Sequence, residues 1–348
     1  MRTFSHPGYK RFLLSVGCLL SIHFTALFFL TLFRLVFFFS ANYDFPDQEH
    51  VGFMSIWPAF IRGVWFDNVI ACYILLIPLV AVSISALFNY YGKILWNVTC
   101  IFFSLFYGIV LLVTAANIPY FQYFFKIINS SVFNWFGYMN TTAGMVFGET
   151  SYYPPLIGFL LTLVLFIWLM RRLIRHFQRL LNTKNPSVFW LDRIYIFLTA
   201  CICIGLCLFG IRGRTGYNPI KVSAAYYCTD PFLNQLGISP VFNLLSSTLD
   251  DSRKENRYLH LMPENEALEN TRHYLNRPGI EGISPIARQI NASDSLRRPN
   301  IVLIFMESMS AHLMKRFGQQ KELTPFLDSL YRQSLAFSNF YSSGIHTN

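Results

Sequence analysis

The sequence predicts a multi-pass α-helical membrane domain of five spans, followed by the start of an extracytoplasmic α/β domain. Three observations lead there. The apolar residues fall in blocks about 20 long, the length that crosses a hydrocarbon core roughly 30 Å thick. Charged residues make up only 13% of the chain, about half the share usual in soluble domains. Near the C-terminus the pattern changes to short apolar runs of strand length separated by a helix.

The first span is expected from about Phe12 to Phe38. It is too long for a signal-peptide core, and no small-residue cleavage site follows it, so it reads as retained. The others are expected at about Asn68–Leu87, Ile94–Ala116, Pro155–Met170 and Leu191–Phe209. Helices are the open elements that satisfy their own backbone in lipid, so each span reads as a helix. Arg34, near the far end of the first, is expected to snorkel to the headgroups. Ile56–Asp67 and Tyr123–Val146 mix aromatic and polar residues. Each reads either as a helix in the interface or as an aromatic-rich, re-entrant loop.

The formal net charge of +10 sits largely beside the spans, and no nucleic-acid motif accompanies it, so nucleic acid is not expected as a partner. Arg2, Lys10 and Arg11 precede the first span; Arg171, Arg172, Arg175, Arg179, Lys184 and Arg193 follow the fourth. Both clusters should face the cytoplasm, and an odd number of spans then places residues beyond 210 outside. Arg212, Arg214 and Lys221 run weakly against this orientation. Six of the seven cysteines lie in the spans and read as small apolar residues.

Residues 1–210 are thus expected to form the transmembrane domain and 211–298 an extracytoplasmic linker with short helices. A folded domain should begin at 299. Asn300–Phe305 reads as a buried parallel strand. Thr324 and Pro325 open a helix whose packing face carries Phe326, Leu327, Leu330 and Tyr331. Ala336–Tyr341 reads as a second strand. Strand, helix and strand cannot cover a parallel sheet on both faces, so this domain is expected to be truncated, with more chain to follow.

Glu307 lies just past the first expected strand, where open α/β sheets place ligands. Thr347 follows the second across a short polar loop. A carboxylate and a hydroxyl at one sheet edge can share a divalent cation, which would lower the hydroxyl pKa and make it a nucleophile.

Asn300-Ile301-Val302-Leu303-Ile304-Phe305-Met306-Glu307-Ser308, Leu323-Thr324-Pro325-Phe326-Leu327-Asp328, and Phe337–Tyr341 running into Ser343-Gly344-Ile345-His346-Thr347 resemble the start of the sulfatase-like domain of the alkaline phosphatase superfamily. More narrowly, the chain is similar to lipoteichoic acid synthase-like phosphoglycerol transferases, which also have five spans ahead of an extracytoplasmic catalytic domain. The resemblance implies that Glu307 binds the metal and that Thr347 is both metal ligand and nucleophile. The cofactor would be a divalent metal ion, manganese first, with magnesium or zinc as alternatives. Other ligands, an Asp-His pair, would lie downstream, so this chain alone would be inactive. The implied partners are an anionic phospholipid donor such as phosphatidylglycerol, a glycan or polymer acceptor, and the lipid bilayer of a bacterial plasma membrane. A glycerophosphate group would move through a phospho-threonine intermediate. Phosphoethanolamine transferases and sulfatase-like hydrolases of the same superfamily are alternatives, although Met306 and Met309 replace the Gly and Arg usual around the glutamate of the former. A non-catalytic multi-pass membrane protein is the remaining alternative.

Overall fold

The computed structural model describes residues 6–41, 53–181, 189–253, 261–276, 286–287, 300–306, 309–337 and 339. Five helices are long and apolar enough to cross a membrane: α1 (Pro7–Ser40), α2 (Phe53–Leu87), α3 (Lys93–Phe124), α5 (Tyr153–Leu181) and α6 (Trp190–Arg212). A short helix, α4 (Met139–Gly148), precedes α5. The chain is a multi-pass membrane protein of five spans.

Each helix outruns its expected span. The 29 residues of α5 reach roughly 44 Å at 1.5 Å per residue, so its last turns, with Arg171, Arg172, Arg175 and Arg179, extend past a bilayer core. The largest difference is in α2. Residues 56–67 are neither a separate interfacial helix nor a loop but the first turns of α2, continuous through Pro58. The Arg62 Nε–H donates to the Ala224 carbonyl (3.3 Å) and its guanidinium lies 4.5 Å from the Tyr227 ring centre, while Phe66 is fully buried against Phe242. Packing on residues 222–252 holds this segment upright. Residues 130–148 take the helical option, a 3-10 helix (Ser130–Tyr138) running into α4.

α1 and α2 form the centre, with α6 and α5 packed on them and α3 on α5. Leu19, Ile22, Phe103, Tyr107 and Phe166 fill the middle. α5 and α6 leave most of their apolar residues exposed, as lipid-facing helices do. At one end of the bundle, Arg11 donates to the Leu181 carbonyl (2.9 Å) and lies 4.8 Å from the Tyr91 ring, and His6 meets Asp192 at 2.8 Å. The start of α1, the turn after α2, the end of α5 and the start of α6 therefore share that end, and Lys10, Arg11, Arg175, Arg179 and Arg193, described members of the two basic clusters, flank it.

The opposite end is covered by residues 213–252, which carry α7 (Pro231–Leu236) and α8 (Pro240–Ser252). Phe232, Leu233, Leu236, Ile238 and Val241 are buried. Side chains satisfy backbone groups throughout. Asn234 accepts from the N–H groups of Tyr227 (2.9 Å) and Cys228 (3.3 Å) and donates to the Cys228 carbonyl (2.7 Å). Asn117 accepts from Ile128 N–H (2.9 Å), and Asn243 donates to the Ile128 carbonyl (2.9 Å). The Tyr227 hydroxyl donates to the Ser55 carbonyl (2.6 Å). Burial, reinforced by Cys228, raises its pKa and keeps that proton in place.

The chain divides into two compact units, Met1–His260 and Leu261–Asn348. The second holds α9 (Glu264–Leu275) and α10 (Pro325–Gln333). In α9, Glu264 and Glu266 in the first turn and Arg272 and His273 in the last complement the helix dipole.

The expected α/β, alkaline phosphatase-like fold is not what forms. Among the described residues there is no β-strand, and the elements are all helical. Residues 300–306 lack secondary structure, and Ile301, Val302, Leu303, Ile304 and Phe305 are 74–88% exposed. An apolar run becomes a strand only when a neighbour completes its hydrogen-bond ladder. No described segment does so. Of the second expected strand, Ala336 and Phe337 are likewise without secondary structure, and residues 338, 340 and 341 lie outside the described residues.

Candidate functional site

Glu307 and Thr347, the two expected site residues, both lie outside the described residues, as does His346. Between them in the sequence lies α10, which is described. Pro325 occupies its first turn, where a missing N–H costs nothing. Thr324 stands at the N-cap position but does not cap. Its hydroxyl points instead toward the Leu313 carbonyl and the Asp328 carboxylate, 3.2 Å from each. Asp328 also accepts from the backbone N–H groups of Lys315 (3.2 Å) and Arg316 (3.3 Å). Desolvation works against its charge. The two N–H groups, Thr324 and nearby Arg332 outweigh that and hold its carboxyl below the ordinary carboxylate value. Thr324 and Asp328 thus tie the turns at 311–317 to the start of α10.

Leu327, Leu330 and Tyr331 face an apolar cleft of about 290 Å³. Met306 and Met309, the described residues nearest Glu307 on either side, line the same cleft. Phe326, expected on the packing face, is 75% exposed. Among the described residues, no group of three or more His, Cys, Asp or Glu side chains is placed to hold a metal.

The first unit contains a polar site of a different kind. Arg34 on α1 and Asp67 on α2 form a buried ion pair at 2.6 Å, with both side chains less than 5% exposed. Arg34 also donates to the carbonyls of Leu236 and Ile238, the latter at 3.1 Å. A Cβ at Gly63 would fall 2.2 Å from the guanidinium, so a residue without a side chain makes the room. Arg34 therefore does not snorkel; it clamps α1, α2 and the end of α7 together. Deeper in the bundle, His23 meets Asn68 at 3.0 Å.

The sequence reading missed Asp67 as a partner because it treated the spans one at a time. The signal was present. Arg34 and Asp67 are opposite charges on consecutive helices, one near the end of the first expected span and one just before the second. A buried, mutually neutralised pair closed over by two carbonyls is a structural clamp, and nothing in it resembles a conduction path.

Fold and sites together define a five-span membrane protein with a second, all-α unit among its described residues. The Sulfatase family model matches residues 299–348, the stretch containing Glu307 and Thr347. The match reaches a distant relationship of that stretch to the family and leaves the five-span unit unaddressed. No curated protein and no solved structure matches the chain.

Proposed function

We propose that this chain is the membrane-anchored part of a metal-dependent transferase that moves a glycerophosphate group from phosphatidylglycerol to a hydroxyl of a glycan or polymer. The observation that carries the reading is the Sulfatase match over residues 299–348, in a protein whose other unit holds five membrane spans. A lipid donor and an enzyme confined to one surface meet at raised effective concentration. The two basic clusters gather at one end of the bundle, and that end is assigned to the cytoplasm of a bacterial plasma membrane. Residues 213–348 then belong outside.

Glu307 and Thr347 offer a carboxylate and a hydroxyl, hard oxygen donors that suit manganese or magnesium better than zinc. Two donors fill only part of the coordination such ions take, so other ligands complete the set. When bound, the ion supplies charge neutralisation at the phosphodiester and a lowered hydroxyl pKa. Thr347 Oγ forms a bond to phosphorus as the bond from phosphorus to the diacylglycerol oxygen breaks, and the hydroxyl proton ends on diacylglycerol. The glycerophosphoryl group then rests on Thr347. An acceptor hydroxyl displaces it, and Thr347 Oγ regains a proton. Two displacements replace one harder transfer.

The test supplies labelled phosphatidylglycerol and Mn²⁺ to membranes carrying the protein as it occurs in its host. Diacylglycerol release is expected, and Thr347→Ala should abolish it. Undiminished release in that variant removes the nucleophile. Release from phosphatidylethanolamine alone removes the donor.

A further inference from the structure

α6 ends in a loop whose charges the membrane topology leaves unexplained. Gly213 turns the chain with left-handed backbone (φ +70°), and its N–H donates to the Phe209 carbonyl (3.1 Å). Ile220, which is buried, closes the loop through its N–H to the Arg212 carbonyl (3.0 Å). Residues 213–219 are thus held as a short closed loop directly at the end of the last span.

Two guanidinium groups converge on the glycine inside this loop. Arg212 Nη2 donates to the carbonyls of Gly216 and Tyr217, the latter at 2.7 Å, which leaves its Nε–H and Nη1–H donors for a ligand. Arg214 lies over the backbone of Gly216, where a Cβ would sit 2.8 Å from Nη2 and 2.9 Å from Nε. Both arginines are exposed, and so is Lys221 just past the loop. Among the described residues none of the three forms an ion pair.

Arg212 alone would be accounted for by the negative end of the α6 dipole. Arg214 adds a second like charge beside it, which neutral carbonyls do not offset. Three cations here also oppose the bias that collects cations at the other end of the bundle. Two guanidiniums that keep N–H donors unspent, Nε–H and Nη1–H in the case of Arg212, are suited to phosphate oxygens. At the end of a span, the abundant phosphate is that of a lipid headgroup. Tyr217, 96% exposed at the loop tip, is the residue type that favours that zone.

We propose that Arg212 and Arg214, with Lys221 beside them, bind the headgroup phosphate of an anionic phospholipid. This binding needs neither Glu307 nor Thr347, so it stands or falls apart from the transfer reaction.

The experiment is native mass spectrometry of the delipidated full chain with dihexanoylphosphatidylglycerol, dihexanoylphosphatidylcholine or inorganic phosphate. The anionic lipid should bind in preference to the zwitterionic one, and Arg214→Gln should weaken it roughly fivefold or more, the scale of one charge-assisted contact. Arg214→Lys should retain part of the affinity, and Arg193→Gln at the other end of the bundle should retain all of it. Arg214 makes no hydrogen bond that the loop depends on, so its replacement leaves the fold intact. Equal binding of both lipids, or undiminished binding by Arg214→Gln, overturns the proposal. Displacement of the lipid by an equal concentration of inorganic phosphate overturns its lipid half.

Discussion

Residues 213–252 and residues 300–337 are both short-helix segments with conspicuous apolar residues, yet the structure treats them in opposite ways. In the first, Phe232, Leu233 and Leu236 are at most 1% exposed, and Arg34, Asn117, Asn234 and Asn243 satisfy the backbone around them. In the second, Ile301 and Phe305 are more than 85% exposed, and the ties that form, such as those of Asp328, lie at the surface. The difference is one of partners. The bundle end presents an apolar floor and polar side chains aimed at carbonyls, whereas no described segment offers residues 300–306 a ladder. Hydrophobic sequence stabilises a segment only when something covers it.

Matched substitutions test this difference. Removing one partner of the buried clamp, as in Asp67→Asn, should cost about 3–5 kcal/mol because a guanidinium stays buried without its counter-charge. Thermal unfolding in detergent reads this, and Arg34→Met combined with Asp67→Leu should recover much of the loss. Phe232→Ala should cost a similar ~3–5 kcal/mol, while Phe305→Ala should fall within about 0.5 kcal/mol. Equal effects at the two phenylalanines would erase the contrast. Gly63→Ala forces Arg34 off its partners and should cost roughly 1–3 kcal/mol in the same assay.

The smallest effect is expected at Asp328. Its folded pKa lies below the ordinary value of 3.8, so its contribution is complete above that value and is lost as pH falls through the lower folded one. Protection of the Lys315 and Arg316 amides, relative to their intrinsic exchange rate at each pH, should fall over that acidic window, and Asp328→Asn should remove this change.

The five spans were legible because runs of Leu, Ile, Val and Phe long enough to cross a bilayer have few other uses. The lower part of α2 was not, since Pro58 and Arg62 look like span boundaries until Ala224 and Tyr227 supply their cover. Residues 213–252 read as linker because their apolar positions come in pieces too short to show a period. Arg34 was misjudged for a related reason, because its partner sits on the next helix. The run from Ile301 to Phe305 shows the converse limit. Its composition fits a strand, but pairing is not a property of one segment. Glu307 and Thr347 came from the pattern of residues around them, and the Sulfatase match spans the same stretch.

The most direct measurement is peptide mass spectrometry of Thr347 after brief exposure of the protein, in its host membrane with Mn²⁺, to phosphatidylglycerol without an acceptor. A glycerophosphoryl group should appear on Thr347 and disappear when an acceptor hydroxyl is added. Diacylglycerol release with Thr347 unmodified at every time point would contradict it.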